Sequence, residues 1–285
     1  MAEAAPGLRT VRLADGTRVP CLGQGTWRMG EDRARRRAEI DSLQAGIELG
    51  MTLIDTAEMY GDGASETVVG EAIAGRRDQV TVVTKVLPSN ATRTGIPAAC
   101  RRSLARLGIE RIDLYLLHWR GGARLAEVFE AFETLRGQGL IREWGVSNFD
   151  VDDLGELGGI ARPFGCATNQ ILYNLEHRGI EHDLMNYSVR QGIPLMAYSP
   201  VGQGGTLLRA PALARIAARH RVTPAQVALA WTLRHPNVIS IPKAGDLRHV
   251  RENAAAAALV LGPEDLAELD QAFPRPRGKV PLEML

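Results

Sequence analysis

Apolar residues fall into two alternating textures along the chain. Short, nearly unbroken runs recur as MTLIDT from Met51, VTVVTK from Val80, IDLYLLH from Ile112, IREWGVS from Ile141, CATNQ from Cys166, IPLMAYS from Ile193 and VISIPK from Val238. Between them lie stretches whose apolar residues return at i, i+3 and i+4, as in RRAEIDSLQAGIELG, IPAACRRSLARLG, LAEVFEAFETLRGQG and TPAQVALAWTLRH. The first texture predicts buried strands and the second amphipathic helices. Glycine or proline closes several of the helical stretches, and TPAQ reads as an N-cap threonine with proline at the first helical position. Strands begin roughly every 30 residues, with a wider gap before the last that leaves room for an additional helix at APALARIAARH; GPEDLAELDQAF has the same amphipathic character.

With CLGQGTW as the first member the strands number eight. Their β-branched texture, apolar on both faces, suits parallel strands covered by helices. A (β/α)8 TIM barrel with extra helices, one domain over residues 1–285, is the architecture that count and length predict. The alternative, a doubly wound dinucleotide-binding sheet, requires a GxGxxG turn, and Gly23, Gly25 and Gly30 lack that spacing. Ahead of the barrel, residues 8–20 hold two short runs about Asp15-Gly16, a β-hairpin expected to plug the floor. Residues 274–285 form a short tail.

Charge excludes some functions. Thirty-four basic and 33 acidic residues are interspersed, for a net +1, so no field is present to hold nucleic acid or an anionic membrane. Cys21, Cys100 and Cys166 are widely spaced without CxxC, which argues against a disulfide framework or a zinc site; no metal is expected, and a reducing cytoplasm fits. The first twenty residues hold no apolar core of leader length, and no run is long enough to span a bilayer.

In LIDTAEMYGDGASE, residues 53–66, an acid ends a strand and a phenol follows in a polar loop. Function in a barrel gathers where strands end. Asp55 ends the second strand, Lys85 the third and His118 the fourth, with Tyr60 in the loop above them. Singly, each has an ordinary structural explanation as a cap, a solvated strand end, a satisfied histidine or a loop aromatic. Together, a buried acid and lysine must pair, and the ammonium is expected to lower the pKa of the neighbouring phenol. The histidine is then placed to orient an incoming oxygen.

With LGQGTWRMG, IDTAEMYG, LLHW, GVSNF, AYSP and IPKA in fixed order, the chain resembles the aldo-keto reductase superfamily over nearly its whole length. The resemblance implies carbonyl reduction with a nicotinamide cofactor and a catalytic set of Asp55, Tyr60, Lys85 and His118. It assigns Ser147, Asn148 and Gln170 to the nicotinamide carboxamide and Tyr198 to stacking on the ring. Ser199, Pro200 and Gly202 open a loop near the pyrophosphate, and Gly25, Thr26, Trp27 and Asp55 lie beside the cofactor. Ile241, Lys243, Arg248, His249 and Asn253 fall at the adenosine end, Lys243 facing the 2'-phosphate. His249 stands where the family pattern often has arginine, so NADPH is the expected cofactor and NADH is also admitted.

Trp27, Met59, Tyr60, His118 and Trp119 are expected to wall a pocket for small-molecule carbonyls, left open by the short tail and the short loop after His118. The same resemblance leaves room for a cofactor-binding regulatory or partner subunit with weak reductase activity, and barrels also host Schiff-base aldolases that use a lysine. A monomer or weak homo-oligomer is expected.

Overall fold

The computed structural model describes residues 8–122, 124–161 and 165–285. Residues 1–7, the first positions of the segment in which no leader was expected, lie outside the described residues, as does residue 123 in the loop after His118.

A hairpin comes first: β1 (Thr10–Arg12) and β2 (Arg18–Pro20) pair antiparallel about a turn in which Gly16 takes φ 86°. The strand-helix repeat follows. It runs β3 (Gln24–Gly25), α1 (Arg36–Glu48), β4 (Leu53–Asp55), α2 (Ala64–Ala72), β5 (Thr81–Val86), α3 (Gly95–Leu107), β6 (Ile112–Leu117) and α4 (Leu125–Gly137). It continues through β7 (Ile141–Ser147), α5 (Val151–Ile160), β8 (Asn169–Leu172), α6 (Leu184–Gln191) and β9 (Leu195–Tyr198) to α7 (Pro211–His220) and α8 (Pro224–Leu233). β10 (Val238–Ser240), α9 (Leu247–Ala256) and α10 (Pro263–Ala272) complete it. Strands β3 to β10 form one parallel sheet in chain order, and parallel bridges from Leu22 to Ser240 and from Gly25 to Lys243 close it into a barrel.

Local chemistry explains the helix ends. Thr223 caps α8 through a reciprocal box with Gln226, with Pro224 at the first helical position. At the end of α3, Gly108 turns left-handed at φ 64°, and Ile109 N–H reaches back to the Leu104 carbonyl. Gly145 serves a different need: a Cβ there would lie 2.6 Å from the Thr168 carbonyl oxygen, so β7 and the segment entering β8 approach this closely only without one.

The period of two along each strand sorts side chains into two cores. Val82, Val86, Tyr115 and Leu117 face outward into the layer shared with the helices. Leu53, Val83, Leu114, Leu116, Met196 and Ile239 fill the barrel interior, where Val11, Leu13 and Val19 of the hairpin join them from below. The hairpin therefore stoppers the floor. Counting in the same parity, Asp55 follows Leu53, Lys85 follows Val83, His118 follows Leu116 and Tyr198 follows Met196. The phase that fills the core delivers these side chains to its upper end.

Some elements differ from the sequence pattern. The first strand keeps only two ladder residues, and at Gly23 before it the backbone runs so close to β4 that a Cβ would lie 2.7 Å from the Leu53 oxygen. β8 begins at Asn169 rather than Cys166, and just before it the Thr168 hydroxyl donates to the Pro194 carbonyl. The polar loop after β4 is shorter than read: Ala64 already starts α2.

Candidate active site

At the centre of the barrel mouth, Lys85 is fully buried and donates in three directions. Its Nζ lies 2.9 Å from Asp55 Oδ2, 2.8 Å from the Thr56 carbonyl oxygen and 3.1 Å from the Tyr60 hydroxyl. An ammonium has three protons, and each is committed. Asp55 is satisfied on both oxygens, because Gln170 Nε2 donates to Oδ1 at 2.7 Å. Tyr60 accepts from Lys85, which leaves its own proton for an acceptor in the cavity. His118 packs edge-on against Tyr60 at 5.8 Å between ring centroids and beside Trp119 at 5.0 Å.

Electrostatics set the protonation states. Burial pulls the His118 imidazole down to about 3, with the Lys85 charge adding to it, so the ring is neutral in ordinary buffers. The Lys85 amine is itself raised, because Asp55 and Tyr60 together outweigh the burial that works against it. For Asp55, burial pushes the carboxyl up while Lys85 and Gln170 pull back; with a donor on each oxygen it is the anion of the pair. Tyr60 differs in sign from the sequence expectation. Burial comes first and raises its pKa, and Lys85 recovers only part of the shift, so the phenol keeps its proton at neutral pH.

A cavity of about 1000 Å³ opens above this group. Asp55, Tyr60 and His118 form its deep end; Trp27, Met59 and Trp119 form an aromatic and apolar wall. Gly25, Thr26, Ser147, Asn148 and Gln170 also line it, with Tyr198, Ser199 and Pro200. Ile241, Lys243, Arg248, His249 and Asn253 complete the predicted residues on its wall. Two predicted residues are not on the wall: Lys85 lies behind Tyr60, and Gly202 gives way to Gln203 and Gly204. Asn148 donates to the His118 carbonyl and to Ser147 Oγ, and accepts from the Tyr198 hydroxyl at 3.0 Å. Gln170 gives its amide nitrogen to Asp55 and Met196. Arg28, Asn148, Ser199 and Gln203, all on this rim, hold positive φ without being glycine, the strained backbone that collects at ligand sites.

Sequence reasoning missed the contribution of the tail. Met284 and Leu285 line the cavity, so the tail, although short, covers part of the cleft that was expected to be open. It is tied down by Lys279, 3.1 Å from both Asp150 and Asp183, and by Glu283, 3.0 Å from His177. A signal was present in the composition: Lys85, Lys243 and Lys279 are the only lysines among 34 basic residues. Each occupies a special position where a compact ammonium, rather than a guanidinium, is used. Arg28 was missed as well; it stacks on Trp27 at 4.5 Å.

A phenol held by a buried lysine–aspartate pair at the mouth of a parallel barrel defines a class, the barrel oxidoreductases that protonate a carbonyl oxygen. The chain belongs to the aldo/keto reductase family, whose model matches residues 21–273. It is 47% identical to the methylglyoxal reductase YeaE of Escherichia coli (strain K12) over 281 residues, 97% of this chain and 99% of that protein. Two crystal structures from Klebsiella pneumoniae superpose closely. An aldo-keto reductase in complex with NADPH gives a TM-score of 0.96 at 46% identity, covering 98% of this chain and all of that one. An aldo/keto reductase in complex with NADP and acetate gives 0.95 at 47%, with the same coverage.

Proposed function

We propose that this protein reduces small aldehydes and ketones with NADPH, that 2-oxoaldehydes such as methylglyoxal are its substrate class, and that Tyr60 is the general acid. The observation that carries the proposal is the three-way donation of Lys85, which grips Tyr60 by its oxygen and leaves the phenolic proton to the cavity. The donor set fits a nicotinamide dinucleotide. The cavity, of about 1000 Å³, is larger than a small carbonyl needs and is polar at Ser147, Asn148 and Gln170; next to its Lys243, at Gly245 and outside the cavity lining, the missing Cβ leaves a space bordered by two cations. Ser147, Asn148 and the free carbonyl of Gln170 suit a carboxamide, Tyr198 a ring, and Lys243, Arg248, His249 and Asn253 the adenosine end.

Bound NADPH supplies a hydride to the carbonyl carbon. As charge develops on the substrate oxygen, Tyr60 gives it the phenolic proton, and the resulting phenolate is held by the Lys85 ammonium already in place. Asp55 keeps Lys85 charged. The neutral His118 imidazole hydrogen-bonds the carbonyl oxygen and orients it without competing as an acid. Trp27, Met59 and Trp119, with Met284 and Leu285 from the tail, exclude water from one side and favour compact substrates. A Schiff-base aldolase is disfavoured, because an amine with a raised pKa and three acceptors has no lone pair to offer. Three buried free cysteines suit a reducing cytoplasm, and a monomer or weak homo-oligomer completes the proposal.

The test mixes purified protein with methylglyoxal and NADPH and follows the nicotinamide absorbance. Turnover is expected, and Tyr60→Phe should lower it by about 10² to 10⁴, with NADPH binding by fluorescence quenching unchanged. A folded Tyr60→Phe variant that reduces the aldehyde at the wild-type rate would remove Tyr60 from the mechanism.

A further inference from the structure

Around Gly245, between β10 and α9, the structure brings together two cations that form no ion pair among the described residues. A Cβ built on Gly245 would stand 3.0 Å from Lys243 Nζ and 3.0 Å from Arg35 Nη2, so the two nitrogens lie at most about 6 Å apart. Arg35 comes from elsewhere in the chain, at the N-cap position of α1. Neither cation has an ion-pair partner among the described residues, and Lys243 is held below its ordinary value by burial and then by Arg35. The acids near by are taken. Asp246 caps α9 through His249 N–H and pairs with the His249 ring at 2.7 Å, Glu39 accepts from Gly30 N–H, and Glu252 faces Arg248 at 3.4 Å.

Like charges set this close, with a side-chain-free space beside them, are stabilised by an anion that both can reach. We infer that Arg35 is a specificity-determining residue for the cofactor, clamping the adenosine 2'-phosphate together with Lys243. The inference rests on the proposal that NADPH binds with its adenosine end at Lys243. It supplies the second cation that His249 does not, since the His249 ring is already engaged by Asp246 and by Arg248 Nη2 at 2.8 Å. A guanidinium suits the task because it offers a planar fork to phosphate oxygens beside the single point charge of the lysine. Gly245 is part of the same device: any side chain there occupies the space between the cations.

Dissociation constants for NADPH and NADH, measured by fluorescence quenching without substrate, test this. Arg35→Met should weaken NADPH by about three- to tenfold, a charge-assisted contact discounted for solvent exposure. NADH should be unaffected, and Arg35→Lys should restore part of the loss. Gly245→Val should weaken NADPH selectively in the same way. If Lys243→Met weakens NADPH and Arg35→Met does not, the clamp is wrong while the adenosine placement stands. If wild-type protein binds NADPH and NADH equally, the placement at Lys243 falls and the clamp with it. A parallel loss of both cofactors in Arg35→Met also overturns the clamp, since that is the signature of a residue supporting the loop or the pyrophosphate.

Discussion

Acidification should destabilise the protein through His118. Burial and the neighbouring Lys85 charge hold the folded pKa at about 3, against an ordinary 6.5. As pH falls through the ordinary value, the unfolded chain takes a proton there and the folded chain does not. The unfolded state therefore binds more protons between those two values, and stability falls as the pH is lowered across that window. At about pH 5 the proton-binding ratio of the two states is roughly 30, which is about 2 kcal/mol. Urea unfolding at about pH 7.5 and about pH 5, for wild type and for His118→Gln, isolates the contribution, because the glutamine keeps a polar contact and cannot titrate. Wild type should lose about 2 kcal/mol more than the variant over that interval. Identical losses in the two proteins would mean that the ring is solvated or paired in the folded state, and that it is not the neutral hydrogen-bonding group assumed above. The functional counterpart is that kcat/KM for aldehyde reduction should show no step near the ordinary histidine value.

Two other perturbations probe different parts of the site. Lys85→Met should abolish reduction and lower stability by about 3 to 5 kcal/mol, because Asp55 is left charged and buried without its partner; in thermal melts the double variant with Asp55→Asn should recover much of the stability but none of the activity, and a single variant as stable as wild type would deny the buried pair. Lys279→Ala should free the tail from Asp150 and Asp183 at a cost of no more than about 1 kcal/mol per exposed ion pair. It should raise KM for small aldehydes severalfold with kcat unchanged, and an unaltered KM would show that the tail wall does not touch the substrate.

Much of this was legible in the sequence, for identifiable reasons. Buried parallel strands are written as apolar runs, so their ends could be read, and the period of two then carried Asp55, Lys85 and His118 to the barrel mouth. Local cap chemistry was equally open, as Thr223-Pro224 shows. What escaped depends on contacts between segments distant in the chain. The sign of the Tyr60 shift is a balance between burial and one charge, and only the folded environment gives the weight of each. Gln170 reads as a free amide in sequence, yet its nitrogen belongs to Asp55, 115 residues earlier. The path of the tail is fixed by Lys279 and Glu283 reaching α5, the segment leading into α6 and the loop at His177, and no periodicity encodes such pairs. Nothing in the sequence ties Arg35 to Lys243; their meeting exists only because the start of α1 and the segment after β10 come together at Gly245.

The complete burial of Lys85 also makes the chain its own reporter. With three ε-amines in all, an acylating reagent has few places to react, and the one inside the barrel is fully enclosed with each proton already donated. Lys85 therefore acquires a label only when the barrel itself opens, while Lys243 and the half-exposed Lys279 are accessible in the native state. Mass spectrometry of three peptides thus separates global unfolding from shielding at Lys243 and from movement of the tail, in a single experiment and without any engineered probe.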